Sequence, residues 1–185
     1  MRLGLLVAGA SAAVLTAAGV AGGALQDPKT LTLRASDLPA KARFVDQNST
    51  NNARLPGGGT GRAYTAGYAF RNGTRDEEVV VTVVTTGTAL LARGLFAAVR
   101  KEALSKTKAD TTAIPRYGDQ QLLATFYDGR GPNVWTEELI VRKGTVVWYL
   151  QIGAHPSSSK PFSRAQALAE VKKYAGKQKV RAGRG

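Results

Sequence analysis

The chain has 185 residues, no cysteine, and 26 Lys and Arg against 13 Asp and Glu, for a formal net charge of +13. The missing cysteine excludes disulfides, thiolate catalysis, cysteine-ligated zinc and a lipid anchor of the bacterial lipoprotein type. A balance this basic favours anionic partners such as nucleic acid, acidic lipid head groups or cell-wall polyanions, although most of the cations are spread from Lys29 through Arg142.

Residues 3–24, LGLLVAGASAAVLTAAGVAGGA, follow the positive Arg2 with an apolar run and end in the small residues Gly22-Gly23-Ala24. This is the layout of a secretory signal peptide, cut near Ala24. The run is also long enough to cross a hydrocarbon core of roughly 30 Å as a helix. An uncleaved anchor is therefore the competing reading, and a buried core helix a third. Its Ala, Gly, Ser and Thr make insertion less favourable than for a Leu-rich run. The expected location is secreted or extracytoplasmic, with membrane anchoring by residues 3–24 as the alternative. About 160 residues remain after the cut, enough for a single domain with a sizeable core.

Residues 25–61 form a lead-in. Thr30-Leu31-Thr32-Leu33 alternates and predicts a short edge strand, and Ser36-Asp37-Leu38-Pro39 reads as a turn. Leu55-Pro56-Gly57-Gly58-Gly59-Thr60-Gly61 is a flexible loop. It lacks both the preceding strand and the following Lys-Ser/Thr of a phosphate-cradling loop.

The domain proper is expected over 62–176. Residues 62–71 alternate, with Tyr64, Ala66, Tyr68 and Phe70 on one side, and Asn72-Gly73 signals a hairpin. Glu78 to Thr86 is β-branched almost throughout and predicts a buried, central strand. From Thr88 to Lys106, Leu91, Ala92, Leu95, Phe96, Val99 and Ala103 fall on one helical stripe, opposite Arg93, Arg100 and Lys101. Strands follow over 121–127, 134–142 and 145–152, the last two joined by a tight turn at Lys143-Gly144. In the last strand Val146, Trp148, Leu150 and Ile152 share a face. A second helix opens on a capping box, Ser163 and Gln166, with Phe162 in the staple position and Ala167, Leu168, Val171, Tyr174 and Ala175 as its stripe. The expected class is α+β: a single antiparallel sheet of about five to six strands with two amphipathic helices packed on it, in the order β-β-α-β-β-β-α.

Residues 177–185 are expected as a basic tail. After Glu170 the charged residues are Lys172, Lys173, Lys177, Lys179, Arg181 and Arg184, with no acid among them. Such a block is either a flexible interaction arm or a frayed, solvated terminus. These six cations are the candidate polyanion contacts. Only Tyr174 is interleaved, so base stacking is not indicated and nucleic acid is not an expected partner.

Three short motifs carry a resemblance: Ser36-Asp37-Leu38-Pro39 near the mature start, Tyr117-Gly118-Asp119 opening the middle strand, and Val141-Arg142-Lys143-Gly144-Thr145-Val146-Val147 at the last hairpin. With the element order, they resemble the PsbP-like α+β domains of exported actinobacterial proteins. The resemblance implies a non-enzymatic binding or accessory domain, with no shared catalytic set to carry over.

No catalytic motif stands out. His155, the single histidine, follows the last strand near Ser157, Ser158 and Ser159, but no G-x-S-x-G elbow exists to present a nucleophile. Glu137 and Glu138 are strand neighbours and face opposite ways, so they do not make a facing carboxylate pair. Asp76-Glu77-Glu78 is expected to offset Arg71 and Arg75, and Asp119 to be a turn residue. Trp135, Trp148, Tyr64, Tyr68 and Tyr149 are either core or the lining of a ligand groove. No cofactor or metal is expected. The expected function is an exported, non-catalytic binding or accessory domain. Its partner would be a small apolar ligand, a protein or, as an alternative, an anionic cell-envelope polymer. An extracytoplasmic hydrolase using His155 or an acidic residue is the remaining reading.

Overall fold

The computed structural model describes residues 25–127, 135–155 and 161–183. One antiparallel sheet forms the centre. Its strands are β1 (Arg43–Arg54), β2 (Thr60–Asn72), β3 (Arg75–Thr86), the two-residue β4 (Lys108–Ala109), β5 (Gln120–Tyr127), β6 (Trp135–Lys143) and β7 (Val146–Ala154), in the spatial order β1-β2-β3-β7-β6-β5-β4. Helix α1 (Ala89–Lys106) follows β3, and α2 (Arg164–Ala182) closes the described chain. The class is α+β, as the alternating strands and amphipathic stripes imply.

Strand alternation sorts the side chains onto two faces. Tyr64, Tyr68, Phe70, Val79, Val81, Val83, Trp148, Leu150 and Ile152 point to one face, under α2 and residues 31–38. Val84, Leu122, Ile140 and Val147 point to the other, under Ala92, Leu95 and Phe96 of α1. A helix on each face lets the central strands β3, β7 and β6 be apolar on both sides, as the run Glu78 to Thr86 predicts. Both tight hairpins turn on a glycine with positive φ, Gly73 at 62° and Gly144 at 57°.

The capping box at α2 is formed. Gln166 N donates to Ser163 Oγ at 3.3 Å and Ser163 N to Gln166 Oε1 at 2.9 Å. Phe162 and Ala167, the staple pair, are both fully buried. Ser163→Ala is expected to lower stability by about 1 kcal/mol in chemical denaturation, since it orphans one N-terminal donor.

The structure corrects four expectations. The order is β-β-β-α-β-β-β-β-α, because a long polar strand, β1, precedes the hairpin and the short β4 follows α1. Residues 30–33 are not an edge strand. They form a turn held by Thr30 N to Asp27 O and Leu31 N to Pro28 O, and their leucines dock under α2. The edge strand of the lead-in is β1, paired with β2 from Arg43↔Ala69 to Arg54↔Thr60. Finally, residues 177–182 are neither arm nor frayed end. They are the last turns of α2, fixed by buried Gln178 and Ala182.

Candidate functional site

The antiparallel register gives the sheet two ends. At one lie Arg54 and Thr60, the β3 terminus Thr86, and the Lys143–Val146 turn. The first described residue, Leu25, is fastened there: Arg62 Nη1 donates to its carbonyl at 3.2 Å and Thr85 Oγ1 to that of Gln26 at 2.8 Å. α1 begins and α2 finishes at this end. The opposite end carries the Gly73 turn, the end of α1 and the start of α2.

Charge is divided between these ends. Asp27, Asp37 and Asp119 are the acids near the Leu25 end, and each is taken by an arginine. Asp27 pairs with Arg62 at 3.8 Å, Asp37 with Arg181 at 2.9 Å and Asp119 with Arg142 at 3.1 Å. Burial works against ionisation of Asp37, but the bonds from Arg181 and the Arg34 backbone hold its carboxyl below the usual range. Arg54, Arg93 and Lys143 remain exposed at this end with no acid partner among the described residues. Arg116 and Lys179 spend their donors on carbonyls, Arg116 on Gly118 and Asp119 and Lys179 on Arg116, so their charge is uncompensated too. The result is a basic end.

Beside it runs a polar groove of about 470 Å³ between the lead-in, β1 and β2, lined among others by Lys29, Gln47, Asn48, Asn51, Arg62 and Tyr64. Tyr64 Oη donates to Gln47 Oε1 at 3.0 Å, and Lys29 Nζ stands 5.8 Å from the Tyr64 ring centre. Asp27, paired with Arg62, also lines the groove, so Lys29 is the lining cation with no acid partner among the described residues, beside the side-chain amides of Gln47, Asn48 and Asn51.

The candidate tail residues separate on α2. Lys177, which donates to the Asp37 carbonyl, Lys179 and Arg181 belong to the basic end. Lys172 and Lys173 sit farther up the helix, Lys173 bridged to Glu170 at 3.2 Å and 4.9 Å from the Tyr174 ring centre. Arg184 lies outside the described residues. The sequence reading missed Arg54, Arg93 and Lys143 as a group, since only folding brings them to one end.

The aromatic candidates do not form one lining. Tyr68 and Trp148 are core residues on the α2 face, Tyr64 is buried on that same face but lines the polar groove, and Tyr149 faces α1. His155 follows β7, its backbone N–H bonded to the Asp76 carbonyl at 2.9 Å, and Ser157, Ser158 and Ser159 lie outside the described residues.

The Gly73 end holds the buried acids. Glu77, fully buried, bonds Arg75 at 3.0 Å, and Asp76 lies 3.8 Å from Arg71. Glu137 and Glu138 do face opposite sides. On the α2 side, Thr125 Oγ1 lies 2.9 Å from Asp110 Oδ2 and 3.0 Å from both oxygens of Glu137, and Arg164 caps Asp110 at 2.6 Å. One hydroxyl proton cannot serve two carboxylates. Burial, with the neighbouring Asp110 charge, pushes Glu137 up to about 7. Burial also opposes the charge on Asp110, yet bonds from Arg164, Thr112 and Thr125 hold it well below the ordinary range. Protonated Glu137 then donates to Thr125, which donates to Asp110. Both carboxyls are buried, and only the guanidinium of Arg164 reaches solvent. This arrangement fastens the start of α2 to β5 and β6.

Among the described residues there is no cluster of side chains suited to a metal ion, and no helix is long and apolar enough to cross a membrane. No family model, no curated protein and no solved structure matches the chain.

Proposed function

We propose that this chain is an exported, non-catalytic binding domain that holds an anionic ligand at its basic end. The observation that carries the reading is the pairing pattern there: among the described residues every acid nearby is spent on an arginine, while Arg54, Arg93 and Lys143 have no acid partner. A solvated surface of scattered charge has no reason to separate its signs in this way. The uncompensated cations raise the local concentration of any polyanion and release its counterions on contact. The polar groove supplies directional donors beside them. The apolar segment 3–24 supports the extracytoplasmic setting, and the three short motifs that resemble PsbP-like domains imply the same functional class.

Titration with heparin, as a soluble polyanion, tests the reading. Binding is expected to weaken steeply with salt. The triple replacement of Arg54, Arg93 and Lys143 by alanine is expected to lower affinity about tenfold or more and to flatten the salt slope. Arg43→Ala with Arg71→Ala, at the Gly73 end, is expected to leave both nearly unchanged. Equal losses from the two variants, or no salt dependence, would overturn the proposal.

A further inference from the structure

We infer that the anionic ligand is the headgroup layer of a lipid bilayer containing anionic phospholipid, against which the basic end lies. The inference rests on the proposed reading of that end as an anion-binding surface. It adds two observations that a soluble polymer leaves unused.

The first is where the chain leaves the domain. Leu25 directly follows the apolar segment 3–24 and is bonded to the basic end through Arg62, while Thr85 holds Gln26 beside it. On the anchor reading, in which residues 3–24 are retained, an apolar segment long enough for a bilayer is thus joined to the domain at the end whose charge suits an anionic membrane surface.

The second is the placement of exposed apolar side chains. Leu90, in the first turn of α1, is 74% exposed, and Val180, in the last turn of α2, is 56% exposed. The two helices cover opposite faces of the sheet, yet both side chains lie at the Leu25 end. Arg93 adjoins Leu90 on α1, Lys179 adjoins Val180 on α2 while Arg181 on its other side is held by Asp37, and Lys143 lies beside the α2 terminus, its Nζ close to Gly183. Exposed apolar residues beside cations without an acid partner are the composition of an interfacial surface: the cations meet phosphate and the apolar groups enter the acyl boundary. Among the described residues the other large exposed apolar side chains, Phe44 and Val45, lie near the start of β1 at the far end, and Phe44 packs edge-on against Tyr68. The strands would then stand along the membrane normal, with the Gly73 turn farthest from the bilayer.

The absence of cysteine allows a clean test on the full chain. Leu90→Cys, Val180→Cys and, as a far-end reference, Thr74→Cys are each labelled with an environment-sensitive fluorophore. The chains are reconstituted into vesicles of phosphatidylcholine alone or mixed with phosphatidylglycerol. In the mixed vesicles the labels at 90 and 180 are expected to shift blue and to become several-fold less accessible to an aqueous quencher. The label at 74 should stay open, and high salt should reverse the effect. Labels at 90 and 180 as quenchable as that at 74 overturn the inference. In that event, salt-sensitive heparin binding by the same chain in phosphatidylcholine vesicles leaves the anion-binding reading standing. Its absence overturns both.

Discussion

Gln178→Ala is expected to destabilise the domain by about 3–4 kcal/mol and to release the lead-in from α2. Gln178 is fully buried and acts as a one-residue strand. Its Oε1 accepts from Leu33 N at 3.0 Å and its Nε2 donates to Leu31 O at 2.9 Å, the two bonds a neighbouring peptide would make. Tyr68 Oη completes the set by donating to Leu33 O at 2.9 Å. Truncation leaves two buried main-chain groups unpaired, each costing about 1–3 kcal/mol. Gln178→Leu keeps the volume but not the polarity, and it should lose nearly as much. A leucine variant as stable as the parent would show that packing, not hydrogen bonding, secures the lead-in. Because residues 27–29 line the polar groove and Leu25 sits at the basic end, both variants should also weaken heparin binding.

That same amide explains one failure of the sequence reading. Thr30-Leu31-Thr32-Leu33 alternates like a strand because Leu31 and Leu33 are both buried, but its backbone partner is a side chain on a helix well over a hundred residues away. The true edge strand was invisible for the converse reason. Gln47-Asn48-Ser49-Thr50-Asn51-Asn52 offers no apolar alternation, since β1 is solvated nearly throughout and only Ala53 is buried. Edge strands of this polar kind resist further pairing, and they leave no periodic signal. Elements that bury a stripe were legible: the hairpin at Gly73, α1, the last three long strands, and the capped start of α2. Its far end was not, because Tyr174, Gln178 and Ala182 continue the buried stripe with a glutamine in the middle.

The candidate site was legible only in sign. Net charge indicates an anionic partner, yet Arg54, Arg93 and Lys143 lie on three separate elements. They share one end of the fold because the strands and α1 have comparable lengths and reverse direction between them. The tail drew notice as a charge run, but Lys177 and Arg181 are engaged with the Asp37 turn, and part of their role is to complement the C-terminus of α2. Asp110, Thr125, Glu137 and Arg164 likewise belong to four separate segments, joined only by the β5–β6 register and the placement of the α2 start.

Stability is expected to be greatest near pH 4.5–5 and to fall as pH rises to about 8, contrary to the usual behaviour of a protein whose carboxylates are all ion-paired. Glu137 and Glu138, on opposite faces of β6, are both pushed up to about 7, first by burial and then by the nearby charges of Asp110 and Glu102 respectively. Glu77 is raised as well, chiefly by burial. Between the ordinary glutamate value and 7, the unfolded chain has released these protons while the folded chain keeps them. Stability therefore declines through that window and levels off above it. For fully buried Glu137 the total reaches roughly 3 kcal/mol at 1.36 kcal/mol per unit, a large share of a typical domain's stability. Asp37 and Asp110 act in the opposite sense: their lowered values stabilise the fold above about pH 4, and that contribution is lost as pH falls further. Denaturant titrations at pH 5 and pH 8 measure the difference. Glu137→Gln should remove a large part of the decline, because its amide donates to Thr125 as the protonated acid does and never ionises. Glu138→Gln should remove a further part independently, since the two side chains lie on opposite faces of the sheet. An unchanged decline in the double variant would show that neither carboxyl carries the pH dependence. A decline abolished by Glu137→Gln alone would assign it to the Asp110–Thr125–Glu137 chain that fastens α2 to the sheet.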